Sequence, residues 1–128
     1  MPTHSYRSYA YDPVRKALIT LRGNRTYLYD TLRMDWTKRI DGKVPFVAHC
    51  YTMILASTPH GVTSWAGRRG AYMGGPRGLW LLDSEGKWKQ LVAPGKLPNT
   101  NVDGSAAVYD RKRDCLWLFT NGGYGKKS

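Results

Sequence analysis

The residues with the clearest capacity for chemistry are basic, and they lie just past the middle of the chain. The segment 68–78 holds three arginines, one tyrosine and no acidic residue. A guanidinium group binds phosphate, sulfate or carboxylate through two parallel hydrogen bonds. The pattern therefore predicts an anion-binding site, unless these side chains are solvated loop charges. With one arginine from an earlier loop and the tryptophan before the segment, the candidate residues are Arg68, Arg69, Tyr72, Arg77, Arg25 and Trp65.

Signals of catalysis or metal binding are weak. The histidines His4, His49 and His60 show none of the spacings at which paired metal ligands occur. His49 opens a strand-like segment beside Cys50, where it is either a ligand or a strand residue satisfied by backbone groups. No nucleophile elbow, phosphate-binding loop or pair of carboxylates is present. We predict no metal and no cofactor, and an enzyme is the less favoured class.

The charge balance makes polyanions candidate partners. Lys and Arg number 20 against 9 Asp and Glu, a net charge of +11. Basic charge interleaved with aromatic residues can also bind single-stranded nucleic acid. However, Trp36, Trp88 and Trp117 lie on strand periodicity, which predicts core positions. A protein or an anionic glycan is therefore the favoured partner, and nucleic acid is the alternative.

Neither a membrane anchor nor a compartment is indicated. No apolar run approaches the roughly 18 residues that a membrane helix needs, and the first residues contain no apolar signal segment. No membrane partner is predicted, and the localisation is left open. Cys50 and Cys115 match no zinc or redox spacing. They are either two thiols or one disulfide.

These side chains must be positioned by a repeated element. Residues 11–21 resemble residues 109–119, at a distance close to two periods of about 50 residues. Residues 27–36 resemble residues 80–88 at about one period, with an Asp and a Trp in corresponding places. In the more diverged middle copy, Ser57 takes the place of the turn aspartate.

Each repeat contains short apolar stretches bounded by turn residues, which is typical of strands. Aspartates at the turns can cap them through their own backbone, and these are Asp12, Asp30, Asp83 and Asp110. No window shows the period of an amphipathic helix, so we predict an all-β chain. The predicted strands lie near 6–11, 17–22, 26–30, 36–40, 47–56, 62–66, 79–83, 88–92, 104–109 and 115–120.

The repeat resembles the kelch and galactose-oxidase-like family of β-propellers. In that family, glycines end the second strand of a blade, an aromatic residue follows, and a tryptophan begins the last strand. The residues that carry the resemblance are Gly23, Gly67, Gly122, Gly123, Tyr29, Leu82, Trp36 and Trp88. The first two repeats have one glycine where the family has a pair, and the segment 68–78 is an insertion.

The resemblance implies blades of four antiparallel strands in a single partial propeller over residues 1–128. The blade segments would be about 5–46, 47–98 and 99–128. Ten strands make two and a half blades, whereas propellers usually close with four to eight. We therefore expect an incomplete ring, either a fragment of a longer propeller or a unit that assembles with other copies. Two copies would supply enough strands for five blades. The end at 125–128, where another strand is due, favours a fragment.

For function, the resemblance implies a binding scaffold that meets a protein or an anionic glycan through loops on one face. An alternative is part of a secreted galactose-oxidase-like or carbohydrate-active enzyme. The copper ligands of galactose oxidase have no counterpart that can be placed on this sequence, so the resemblance does not extend to that activity.

Overall fold

The computed structural model has an all-β chain, which confirms the predicted class for the residues that the structure describes. Those residues are 9–22, 24–40, 43–46, 53–66, 78–92 and 106–119. They contain ten strands and no helix, and therefore no helix that could cross a membrane. The strands are β1 (Tyr9–Asp12), β2 (Ala17–Arg22), β3 (Arg25–Asp30), β4 (Asp35–Ile40), β5 (Met53–Thr58), β6 (Gly61–Ala66), β7 (Gly78–Leu82), β8 (Trp88–Val92), β9 (Ala106–Asp110) and β10 (Cys115–Phe119).

The strands form three antiparallel sheets in which each strand pairs with the next one along the chain. Sheet I has the order β1-β2-β3-β4, sheet II has β5-β6-β7-β8, and sheet III has β9-β10. Sheets I and II share a further detail, because the pairing of the third strand with the fourth shifts register at Leu28/Tyr29 and at Leu79/Trp80. The sequence repeat therefore corresponds to a repeat of sheet geometry.

Each sheet has two different faces, because successive side chains of a strand point to opposite sides. We call the face toward the next sheet along the chain the forward face, and the opposite face the backward face. On sheet I the forward face carries Ala10, Ile19 and Leu21, which pack in one cluster with residues of sheet II. The backward face of sheet II supplies its partners, which are Met53, Leu55, Val62, Trp80 and Leu82.

The main core lies between sheets I and II. Ile19, Met53 and Leu82 are fully buried there. Phe46, from the described part of the connection between the sheets, packs with ring centroids 5.7 Å from Trp80 and 5.2 Å from Trp88. Burying each large aliphatic side chain contributes about 1.5–3 kcal/mol. This core therefore holds the two sheets face to face.

A smaller apolar cluster joins sheets II and III. Ile54 and Trp65, on the forward face of sheet II, are buried in it, and Leu79, Ala107 and Leu118 pack against them. The strand β6 is thus covered on both faces, which explains why all of its residues are buried.

The first strands of the sheets are in contact with one another, β1 with β5 and β5 with β9. The hairpin turns that follow them all lie at one edge of the sheets, because antiparallel neighbours exchange direction at the same end. We call this edge the turn edge. It carries residues 13–16, 31–34, 59–60, 83–87 and 111–114.

The middle hairpin differs from the sequence alignment. Thr58 pairs with Gly61, as Asp12 pairs with Ala17 in the first hairpin, so the turn has lost two residues. The Oγ1 of Thr58 accepts the backbone N–H of His60 at 3.1 Å. Thr58 therefore takes the place of the turn aspartate, and the assignment of that place to Ser57 is wrong.

Candidate functional site

Three turns of the turn edge are built alike. In the first, Asp12 Oδ1 accepts the backbone N–H groups of Val14 at 2.9 Å and Arg15 at 3.2 Å. The turns at Asp30 and Asp110 repeat these bonds at 2.8 to 3.2 Å. A short acceptor side chain stabilises a turn in this way by replacing a backbone carbonyl. The residue that closes each turn has a positive φ, and these residues are Lys16, Met34 and Asp114.

The hydrogen bonds keep the turn carboxylates ionised. The backbone N–H of Arg33 is the main cause that lowers the pKa of Asp30, and the N–H of Lys87 lowers the pKa of Asp83 in the same way. The side chain of Arg113 is the main cause that lowers the pKa of Asp110. Donors that bind the charged form favour it over the neutral acid. The turn edge therefore carries fixed negative charges among its basic side chains.

The fourth turn brings sheets I and II close together. Asp83 Oδ1 accepts the N–H groups of Glu85 and Lys87 at 3.0 and 2.9 Å. Gly86 follows with φ +82, and a Cβ there would lie 2.8 Å from Cγ2 of Ile40. Both the left-handed backbone and the contact with sheet I require glycine at this position.

A buried ion pair ties the turn edge of sheet I to sheet II. Arg15 Nη1 donates to Asp12 Oδ2 at 2.7 Å, and Arg15 Nη2 donates to the carbonyl oxygen of Asp83. The side chain of Asp12 is fully buried and that of Arg15 is 14% exposed. A buried carboxylate needs such a partner, since removing its counter-charge leaves it unpaired in a poorly solvated place.

An exposed cluster joins the turn edges of sheets II and III. His60 Nε2 lies 3.3 Å from Asp114 Oδ1, and the hydroxyl of Tyr109 donates to the same oxygen. This hydroxyl, followed by His60, lowers the pKa of Asp114, and the shared bond raises the pKa of Tyr109. The cluster has the residue types of an acid–base site, but His60 and Asp114 are 63% and 70% exposed. It is an open surface contact without an enclosed place for a substrate.

The described residues contain no group of three or more His, Cys, Asp or Glu side chains that could hold a metal ion. Cys115 is a free, half-buried thiol, and Cys50 lies outside the described residues.

A cavity of about 190 Å³ lies between sheets II and III. The indole Nε1 of Trp65 is buried without a hydrogen-bond partner among the described residues. An apolar cavity of about 150 Å³ is large enough to hold a benzene molecule. The space could therefore hold a small apolar molecule. Its lining residues are Ile54, Ala56, Thr63, Trp65, Leu79, Ala107, Leu116 and Leu118.

The forward face of sheet III is apolar and open. Val108 and Trp117 form a cross-strand pair on it, and Phe119 lies two positions further along β10. These side chains are 54%, 49% and 59% exposed. A contiguous apolar patch of this kind marks an interaction surface.

The backward face of sheet I is aromatic and partly open. Tyr11 and Trp36 are 46% and 49% exposed on it. Trp36 packs edge-on against Tyr29, with ring centroids 5.1 Å apart. Register places further residues on the same face, which are Tyr9, Leu18, Thr20 and Tyr27.

The residues predicted to bind anions are mostly beyond the part that the structure describes. Of that set, Arg68, Arg69, Tyr72, Arg77 and His49 lie outside the described residues. Arg25 begins β3 and is half-buried. Trp65 lies in the core between sheets II and III. Arg25 and Trp65, the two described members of the set, lie in different sheets.

The repeat residues are better placed. Asp12, Asp30, Asp83 and Asp110 accept the turn hydrogen bonds given above. Trp88 is half-buried, and its Nε1 donates to Thr26 Oγ1 of sheet I at 3.0 Å. The core position predicted for Trp36 and Trp117 is wrong in this structure, because both are 49% exposed. The glycines Gly23, Gly67, Gly122 and Gly123 lie outside the described residues.

Sequence reasoning missed the contacts between sheets. The hydrogen bond from Arg15 to Asp83 joins positions 68 residues apart, and nothing local signals it. The open face of sheet III, in contrast, could have been found. Ala10, Ile19 and Leu21 occupy the positions of Val108, Trp117 and Phe119 in the repeat, so a missing neighbour exposes the second set.

Comparison with known proteins adds no relative. No protein-family model, no curated protein and no solved structure matches this chain.

Proposed function

We propose that the chain forms consecutive blades of a kelch-like β-propeller that serves as a binding scaffold for a polyanionic partner, either an anionic glycan or an acidic protein surface. One observation carries the proposal: the sheets pack face to face while their first strands contact each other in turn. Propeller blades are arranged in this way around a central axis.

The ordering of the edges supports a scaffold. Contacts from Arg15 to Asp83 and from His60 to Asp114 link the turns of neighbouring sheets, so the turn edges are aligned. The opposite edge is therefore aligned too. At that edge β2 ends and β3 begins, and β6 ends and β7 begins, so segment 67–77 connects strands there.

The distribution of charge favours that opposite edge as the binding surface. At the turn edge, Asp12 and Asp110 pair with the arginines of their own turns at 2.7 and 2.8 Å. The connecting segment 67–77 contains arginines and no acid. Unpaired guanidinium groups on neighbouring loops attract anions and bind them bidentately.

The test compares two double variants that each remove two positive charges. Binding to immobilised heparin, a sulfated glycan, is measured for Arg68→Ala/Arg69→Ala and for Arg111→Ala/Lys112→Ala. Arg111 and Lys112 are exposed on the turn edge and serve as the control. We expect the first variant to weaken binding about tenfold or more, since each lost charge-assisted contact contributes about 1.5–3 kcal/mol. The control should bind nearly as wild type.

Equal weakening by the two double variants would show that only net charge matters and would refute a defined site. Stronger binding to a single-stranded oligonucleotide than to heparin at the same salt concentration would favour nucleic acid as the partner instead. Binding should also weaken as salt is raised, because exposed charges are screened.

A further inference from the structure

The contact between sheets I and II has three parts. The forward face of sheet I supplies an apolar patch that includes Ile19, and the backward face of sheet II covers it. At the turn edge, Arg15 donates to the carbonyl of Asp83. Near the opposite side of the core, Trp88 of sheet II donates to Thr26 of sheet I. This contact therefore has a forward half on sheet I and a backward half on sheet II.

Sheet III carries a second copy of the forward half. Ala10 lies two residues before the turn aspartate of sheet I and pairs with Ile19 of β2. Val108 lies two residues before the turn aspartate of sheet III and pairs with Trp117 of β10. Ala10 and Ile19 are 8% and 0% exposed, whereas Val108 and Trp117 are 54% and 49% exposed. The same positions are thus covered in sheet I and uncovered in sheet III.

The turn arginine is repeated as well. Arg113 Nη1 donates to Asp110 Oδ2 at 2.8 Å, as Arg15 does to Asp12. However, Arg113 is 68% exposed and Arg15 only 14%. The hydrogen bond to Asp110 therefore holds Arg113 as the bond to Asp12 holds Arg15. In that orientation Arg15 reaches the turn of the next sheet.

Sheet I carries a second copy of the backward half. Trp36 of β4 pairs with Tyr29, the residue before the turn aspartate Asp30, as Trp88 of β8 pairs with Leu82, the residue before Asp83. Trp36 is 49% exposed, and Tyr11 on the same face is 46% exposed. The turn carbonyl of Asp30 corresponds to that of Asp83, which accepts Arg15.

We infer that the forward face of sheet III binds the backward face of sheet I in a second copy of this chain, so that copies join head to tail through the contact that already joins sheets I and II. Trp117 and Phe119 pack against the backward face around Trp36, and Arg113 donates to the carbonyl of Asp30 of the other copy.

A second copy is the occupant that the structure favours, because both unfilled halves of one contact are present on the same chain. In their described residues, two copies together have twice the strands of two four-stranded sheets and one two-stranded sheet, enough for five four-stranded blades, and propellers close with four to eight. A contact between unlike faces closes into a ring when the rotation suits it. We therefore expect a closed dimer.

The first test is the mass of the purified chain in solution, measured by sedimentation over a wide range of protein concentration. We expect a monomer–dimer equilibrium that shifts toward the dimer as salt is raised, because each copy has a charge of +11 and screening weakens their repulsion. A chain that stays monomeric at high concentration and high salt overturns the inference, whatever any variant does.

The second test determines whether unlike faces meet. Phe119→Glu alters the forward face of sheet III, and Trp36→Glu alters the backward face of sheet I at the position that Trp88 occupies in the contact between sheets I and II. Each should weaken self-association about tenfold or more, since truncating a central aromatic residue commonly has at least that effect. Mixing the two variants leaves one intact contact between them, so a mixed dimer should form. A mixture that associates no better than each variant alone would refute head-to-tail binding.

The control is Leu91→Glu. Leu91 is 50% exposed, close to the exposure of Trp117 and Phe119, but it lies on the outer strand β8 of sheet II, away from both faces proposed to meet. This variant should associate as wild type. Unchanged thermal unfolding of each variant excludes loss of folding as the cause.

Failure of this inference is separable from failure of the proposed function. Polyanion binding weakens with salt and depends on Arg68 and Arg69, whereas self-association strengthens with salt and depends on Phe119 and Trp36. Heparin binding by the Phe119→Glu variant therefore tests the scaffold on a chain that does not self-associate.

Discussion

The ion pair of the first turn gives the most discriminating prediction, because the repeat supplies its own control. Arg15→Met removes the guanidinium group and keeps an unbranched side chain of similar length. Asp12 then remains fully buried without a counter-charge, and the carbonyl of Asp83 loses its donor from sheet I. Arg113→Met makes the same change in the third turn, where the arginine is 68% exposed.

The expected loss follows from burial. Removing one partner of a buried ion pair costs about 3–5 kcal/mol. Asp12 keeps the N–H donors of Val14 and Arg15, which places the loss at the lower end, about 3 kcal/mol. For a domain of this size, 1 kcal/mol shifts the unfolding midpoint by about 4 °C. Arg15→Met should therefore lower the midpoint by about 12 °C, while Arg113→Met should stay near wild type because water solvates the exposed pair.

The assay is thermal unfolding followed by far-UV circular dichroism, with chemical unfolding as a second measurement. It is run in dilute protein and low salt, so that self-association does not contribute. If the two variants lower the midpoint equally, burial does not distinguish the turns, and the structural reasoning about Arg15 is wrong.

Two further predictions use the same assays. Thr26→Val removes the acceptor of the Trp88 indole N–H and should lower stability by about 1–3 kcal/mol, the usual penalty for an unpaired buried donor. Thr20→Val changes an equally buried hydroxyl that has no hydrogen-bond partner among the described residues, so it should be neutral or stabilising. A larger loss of stability for Thr20→Val than for Thr26→Val would contradict the assigned hydrogen bonds. Because the folded-state pKa of Asp110 is lowered, its contribution is present above the ordinary carboxylate pKa and is lost as pH falls through the folded value. Below about pH 4, wild type should therefore lose more stability than Asp110→Asn, and parallel pH profiles would rule out this role of Asp110.

The strand pattern could be predicted from the sequence because local signals determine it. Ala17–Arg22 and Trp88–Val92 match their predicted ranges, since both begin directly after a turn that an aspartate opens. Of the strand predicted near 47–56, residues 47–52 lie outside the described residues, and the described part, Met53–Thr58, ends two positions later than predicted. An apolar run buried on both faces gives no alternation by which to locate its ends.

Contacts between sheets could not be predicted in the same way. The burial of Trp88 and the exposure of Trp36 have the same local sequence signal, a tryptophan at the start of the fourth strand. Their environments differ because sheet I packs on the backward face of sheet II, whereas no sheet of the described residues packs on the backward face of sheet I. The exposure of Trp117 has the same cause on the forward face of sheet III. The position of a residue in the repeat is determined by the local sequence, whereas its burial depends on which sheets pack against its own.

The candidate anion site illustrates another limit. Sequence reasoning groups Arg25 with Arg68 because both lie where the second strand of a repeat connects to the third, and adds Trp65 because it comes just before the segment 68–78. The structure places Trp65 in the core between sheets II and III, where its side chain follows the alternation of β6. A strand residue next to a loop can face either side, and one position of register decides which.

Because the forward and backward faces of a sheet differ, sheets can be joined only forward face to backward face, and a row of joined sheets therefore has a direction. In a head-to-tail assembly the rotation from one sheet to the next, and not the strength of the contact, sets how many copies are needed to return to the first. That rotation depends on the thickness of the core at Phe46, Trp80 and Trp88. A smaller or larger side chain at Phe46 would therefore alter the geometry of assembly, turning closed rings into open filaments even where the sheets themselves fold normally.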